Sequence, residues 1–145
     1  MGYTIELAFD ARKHNNVTET KSRLETLAYE YGCERFYTIH EAEADYKHIY
    51  RNHSVTIIIF SGENTNEINN FLDFIRIVKK ERRNGIHIES VYKDDGSYTL
   101  LHASPKYLKT MEKTMALEFK KNRRQNPPKT NTLEYEVFKE FYKNK

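Results

Sequence analysis

At 145 residues the chain is most simply one domain, long enough for one hydrophobic core and too short for two. Its 38% apolar and 31% charged residues fit a soluble globular protein, and the 13% share of aromatics means that Tyr and Phe must supply much of the core. The net charge of +3 conceals an asymmetry that bears on partners rather than on fold: residues 1–75 hold 7 basic and 12 acidic side chains, residues 76–129 hold 14 and 6, and the rest hold 3 and 3.

No apolar run is long enough to span a membrane, and the first residues, MGYTIELAF, lack the basic and apolar regions of a signal peptide. A single cysteine, Cys33, excludes an internal disulfide and agrees with a reducing compartment. The expectation is an intracellular protein, cytoplasmic or nuclear, with no membrane partner.

Residues 3–10 alternate Tyr3, Ile5, Leu7 and Phe9 with Thr4, Glu6, Ala8 and Asp10, the pattern of a half-buried strand. Asn16-Val17-Thr18-Glu19 has the form of a capping box and opens a helix carrying Val17, Leu24, Leu27, Ala28 and Tyr31, with Gly32 as its stop. Residues 34–43 read as a second strand. His53 to Phe60, the most apolar stretch of the chain, reads as a third strand, central because both of its faces need cover. Val55, Ile57 and Ile59 are expected to face the first two helices, and Ile58 and Phe60 the opposite side.

Asn64-Thr65-Asn66-Glu67 starts a second helix with Ile68, Phe71, Leu72, Ile75 and Val78 in its stripe, ending at Asn84-Gly85. Residues 86–93 and 97–102 form a hairpin around Asp95-Gly96, a type I′ signal. In the first of these strands Ile86, Ile88 and Ser90 oppose His87, Glu89 and Val91. Ser104-Pro105 caps a third helix that carries Leu108, Met111, Met115 and Phe119. Asn126-Pro127-Pro128-Lys129 breaks the chain, and a short amphipathic helix follows.

The order β-α-β-β-α-β, with an added hairpin strand and two C-terminal helices, predicts an α+β fold of the ferredoxin-like, split βαβ kind with an antiparallel sheet. Residues 1–125 form the domain, 126–131 a linker and 132–145 the last helix. The third helix, the last, or both are expected to cover part of the second sheet face.

Two segments share the form KKxRR: Lys79-Lys80-Glu81-Arg82-Arg83 and Lys120-Lys121-Asn122-Arg123-Arg124. With Lys106, Lys109 and Lys113 they make residues 76–129 a candidate phosphate-binding region, most simply for nucleic acid. Cations at helix C-termini also complement the macrodipole without any ligand, but these clusters exceed what capping needs. The last helix offers Leu133, Val137, Phe138, Phe141 and Tyr142, which can fold back on the sheet or meet another subunit or protein. A structural or assembly protein is therefore the alternative reading.

The RNA recognition motif shares the strand order, but its stacking pattern is missing. The third strand has no glycine and no paired aromatics, and Thr4, Glu6, Ala8 and Asp10 offer no ring. Glu6, His40, His87 and Glu89 fall on the polar sheet face and give a third reading, a small hydrolase or metal site. No close-spaced His pair supports it, no Gly-rich phosphate loop or G-x-S-x-G elbow is present, and neither His40 nor His87 begins the His-x-Ser/Thr pair of two-histidine phosphodiesterases. Cys33, just past a helix C-terminus, is placed to have a raised thiol pKa. No catalytic residue, metal or cofactor is assigned.

Overall fold

The computed structural model describes residues 2–10, 17–39, 53–62, 64–94, 96, 98–109, 111–125 and 133–143. The predicted linker, His40 and the Asn16 cap lie outside the described residues. The fold is α+β: strands β1 (Gly2–Asp10), β2 (Cys33–Ile39), β3 (His53–Ser61), β4 (Ile86–Asp94) and β5 (Tyr98–Ala103) form one sheet in the order β2-β3-β1-β4-β5. Every neighbouring pair is antiparallel.

Helices α1 (Val17–Glu30) and α2 (Thr65–Lys79) cover one face of the sheet. Asn64 caps α2 as its sequence implies, its Oδ1 accepting the Glu67 N–H at 2.9 Å. A 3₁₀ turn, Lys80–Asn84, continues α2 to Gly85, whose φ of 77° lies in the left-handed region that glycine occupies without strain. The core forms where the apolar side of β1 meets these helices. Tyr3 stacks on Phe71 with centroids 5.1 Å apart, and Phe60 meets Phe71 and Phe74 edge-on or tilted at 5.3 and 5.2 Å. Such ring pairs add about 0.5–1.5 kcal/mol each beyond burial.

This cluster reverses the expected orientation of β3. The β1–β3 register pairs Tyr3 with Phe60 and Ile5 with Ile58, so Phe60 and Ile58 share the helix-covered face with the apolar side of β1. Val55, Ile57 and Ile59 point to the other side. A bulge opposite Glu6 and Leu7 leaves Glu89 as the extra residue of β4 and resets the alternation beyond it. Val91 thereby joins Ile86 and Ile88 on the helix side, and Ser90 turns to the second face, opposite to the sequence expectation.

The predicted third helix is two. Helix α3 (Pro105–Leu108) is capped by Ser104 Oγ, which accepts the Tyr107 N–H at 3.0 Å. Its last turn tightens through three-residue bonds from Lys109 N to Lys106 O and from Met111 N to Leu108 O. Helix α4 (Lys113–Gln125) restarts at Glu112, whose Oε1 accepts the Thr114 N–H at 3.0 Å. Both helices lie on the second face, but over β4 and β5, where Tyr107, Leu108, Met111, Ala116 and Phe119 pack with Tyr92, Leu100 and Ala103.

The last helix, α5 (Leu133–Phe138) with a π turn over Lys139–Lys143, lies on the first face beside α2. Val137 is fully buried in the main core, and Phe141 stacks on His102 with centroids 3.7 Å apart. Glu140 bonds Arg76 Nε at 2.8 Å and Lys79 Nζ at 3.2 Å. No helix among the described residues is long and apolar enough to cross a membrane.

Gly62, just past β3, tests the aromatic cluster. A Cβ there would run into the ring of Tyr3, which is held by its stack on Phe71. Gly62→Ala is expected to cost about 1–3 kcal/mol by displacing that ring, read as a lowered urea midpoint with an unchanged m-value.

Candidate nucleic-acid interface

The second sheet face divides into an acidic, buried part and a basic, exposed part. The buried part gathers around Glu6. Tyr107 donates to Glu6 Oε1 at 3.3 Å, and its own oxygen lies 2.7 Å from the Tyr92 hydroxyl. One bulge along β4, Glu89 accepts the Ser104 hydroxyl through Oε2. The residues that open α3 are therefore tied by their side chains to β1 and β4, which holds this short helix against the sheet.

Burial pushes the Glu6 carboxyl above its ordinary range; the Ser90 and Tyr107 hydroxyls act against that rise, and the charge of Glu89 adds to it. Burial, and then the charge of Glu6, hold the Tyr107 phenol far above the ordinary phenol range. Ser90 Oγ is fully buried next to Glu6 and meets hydrogen-bond geometry with no group among the described residues. The cluster has the polar atoms of an acid site, but Glu6 and Glu89 are 8% and 4% exposed and out of reach of a bulky substrate. Among the described residues no three His, Cys, Asp or Glu side chains come together as metal ligands. His87, the other sequence candidate within the described residues, is half-buried on the same face.

The two KKxRR segments do not form one surface, because the sheet stands between them. The first belongs to the end of α2 and its 3₁₀ turn on the first face, where Lys79 is held by Glu140 and Glu81 is bonded to Arg23 at 2.7 Å. Lys80, Arg82 and Arg83 are exposed there. The second lies on α4. Helical geometry lines up Lys113, Leu117, Lys120 and Arg124 at intervals of three and four, with Lys121 beside them. All five are exposed, the four cations enter no ion pair among the described residues, and the row runs roughly 16 Å along the axis. The Arg123 side chain lies outside the described residues. Lys106 and Lys109 sit on and just after α3, the first half-buried and the second exposed.

Dipole compensation does not account for this row. Lys113 stands in the first turn of α4, the end where the macrodipole disfavours a cation. The inner side of the same helix, Ala116 and Phe119, packs on the sheet, so the charged side must face solvent.

No family model matches the chain, and no curated protein or solved structure is significantly similar to it. The reading of the site therefore rests on its geometry alone.

The other sequence candidates have intramolecular surroundings. Among the residues of the last helix, Val137 lies in the core and Phe141 on His102; the side chains of Leu133, Phe138 and Tyr142 are outside the described residues. Cys33 faces the main core, and burial, followed by the charge of Glu25, pushes its thiol up to about 11. The sequence reading placed the rise on the helix C-terminus; the surroundings supply burial and the charge of Glu25 as its causes. A shallow groove between α4 and β5, lined by Leu100, Met111, Met115 and Phe119, was missed at the sequence level, because it brings together residues of two elements that share no local pattern.

Glu6 carries a pH prediction. A carboxyl raised in the folded state keeps a proton that the unfolded chain releases above its ordinary value of 4.5. Stability therefore falls as pH rises from that value through the folded pKa, and the loss is complete above it. Glu6→Gln, which preserves the acceptor for Tyr107, is expected to remove the fall and to raise the melting temperature at pH 7; unfolding followed from pH 4 to pH 8 checks it. Ser90→Ala is expected to be neutral or stabilising by up to about 1 kcal/mol, since it removes an unsatisfied hydroxyl.

Proposed function

We propose that this protein is a non-enzymatic binding protein that holds nucleic acid along α4. The observation that carries the reading is the exposed row Lys113, Lys120, Lys121 and Arg124, which has no acidic partner among the described residues and begins where the helix dipole opposes a cation. Long, flexible cations in a row suit a polyanion with regularly spaced phosphates, and binding of this kind weakens with salt as counterions cease to be released. The end of α2 is the weaker candidate, because Lys79 and Glu81 already have intramolecular partners.

We further read the frame beneath the row as the ferredoxin-like split βαβ arrangement with β5 added at one edge. The order β2-β3-β1-β4, together with α1 and α2 on a common face, supports that reading. The frame does not itself imply a ligand, and the RNA recognition motif's usual platform is unavailable here, since Phe60 is buried under α2.

Fluorescence anisotropy with labelled RNA and DNA 20-mers at low and moderate salt tests the proposal. Replacing Lys113, Lys120, Lys121 and Arg124 by Ala is expected to weaken binding by about tenfold or more and to reduce the slope of log K against log salt by about one for each cation that contacts phosphate. Replacing Lys80, Arg82 and Arg83 by Ala is expected to change affinity by less than about threefold. Absence of binding by the wild type at low salt, or equal losses in the two variants, would overturn it.

A further inference from the structure

We infer that the outer edge of β2 is an interface between two copies of this chain. The copies pair antiparallel about a two-fold axis at Phe36, and the sheet of one continues into the sheet of the other. The surface lies at the end of the sheet away from α4, which packs over β4 and β5, so it is independent of the nucleic-acid reading. Strand order gives the sheet two edges, β2 and β5. The β5 edge lies between α4 on one face and the last helix on the other. Among the described residues no strand pairs with the outer side of β2. An edge of this kind presents a row of N–H and C=O groups that a further strand can take up.

The order of side chains selects a second copy as that strand. β2 reads Cys33-Glu34-Arg35-Phe36-Tyr37-Thr38-Ile39. A bulge takes up Glu34, and residues 35–39 pair regularly with β3. Arg35 lies opposite Ile59 and Tyr37 opposite Ile57, so both stand on the second face of the sheet. The Arg35 guanidinium is 4.8 Å from the centroid of the Tyr37 ring. Both side chains are exposed, and Tyr37 is among the large apolar ones that the core leaves uncovered.

Opposed residues of an antiparallel pair share a face, so a two-fold axis between identical strands must pass through a residue. Centred on Glu34 or Arg35, the axis sets like charges against each other, which destabilises a pair. Centred on Tyr37, it leaves Arg35 against an isoleucine. Centred on Phe36, it sets Arg35 opposite Tyr37 of the partner subunit, and Tyr37 opposite the partner's Arg35. Directly opposed side chains are about 4.5–5.5 Å apart, within reach of a cation–π contact. Each guanidinium then lies between two rings, one from its own chain and one from the other. Phe36, half-buried on the first face, meets its own copy at the axis. Charges and bulges commonly blunt an edge strand. Glu34 and its bulge do so at one end only, and the single cation beyond them finds an aromatic ring across the axis.

Sedimentation velocity of the full chain over about 1–200 μM tests the pairing, since association follows protomer concentration. The wild type is expected to pass from monomer to dimer. Tyr37→Lys, which sets like charges across both pairs beside the axis, is expected to weaken the dimer by about tenfold or more. The position is exposed, so the circular dichroism of the variant is expected to match the wild type. Arg35→Glu/Tyr37→Lys sets opposite charges across the same pairs and is expected to restore association to within about threefold of the wild type. Leu117→Ser, on the exposed side of α4, is expected to leave association unchanged. A wild type that stays monomeric, a dimer indifferent to Tyr37→Lys, or a double variant as weak as the single one would overturn the assignment. So would a dimer lost through Leu117→Ser, which would move the interface to α4.

Discussion

The contact on which the rest of the architecture depends is the packing of Phe60 and Tyr3 beneath Phe71 and Phe74. These rings are the largest side chains at the junction of the two central strands with α2, and all are buried. Seating Phe60 there selects the β1–β3 register that pairs it with Tyr3, and a register shifted by one residue would turn every side chain of β3 over. With Phe60 and Ile58 under the helices, Val55, Ile57 and Ile59 must face away, and the second face of the sheet acquires its character from that choice.

The second face is then organised by a bulge. In β4 the extra residue, Glu89, lets Ser90 and Tyr92 point toward α3 while Val91 points toward the main core. This places two carboxylates, two phenols and two hydroxyls within a small buried region. The bonds of Tyr107 to Glu6 and Tyr92 and of Ser104 to Glu89 hold α3 against the sheet, and the burial that goes with them shows in the raised carboxyl of Glu6. A fixed α3 and the tightened turn after it set where α4 begins, so that Ala116 and Phe119 face inward and the cations outward. The buried acids and the exposed bases are thus linked through one chain of contacts, the first group positioning the helix that presents the second.

The fate of the C-terminal helix follows a related logic. The first face is not fully covered by α1 and α2, since β5 extends the sheet past β4. Val137, Phe141 and Glu140 fill the space beside α2, above His102. The same docking engages Lys79 and Arg76 in ion pairs with Glu140, while Lys80, Arg82 and Arg83 of the first basic segment stay exposed on that face as the cations of α4 do on the other.

Local signals were legible in the residues themselves: the alternation of β1, the Asn64 and Ser104 caps, the stop at Gly85, the hairpin about Gly96 and the charge asymmetry all depend on neighbours within a few positions. The basic segments were equally visible, as were Glu6 and Glu89 as members of a polar face. What the residues alone could not settle was which side of β3 met the helices, because Val55, Ile57 and Ile59 are as apolar as Ile58 and Phe60. Nor could they settle that one predicted helix would be two, or that the KKxRR segments would lie on opposite faces. Those outcomes depend on register, bulges and packing between residues far apart in the chain, where the fit of a ring or the pull of a buried carboxylate outweighs local pattern. The sequence by itself determined the elements and the charge they carry; only the tertiary structure decided which of those charges remain available to a ligand, since availability is a matter of what each cation finds beside it once the chain has folded.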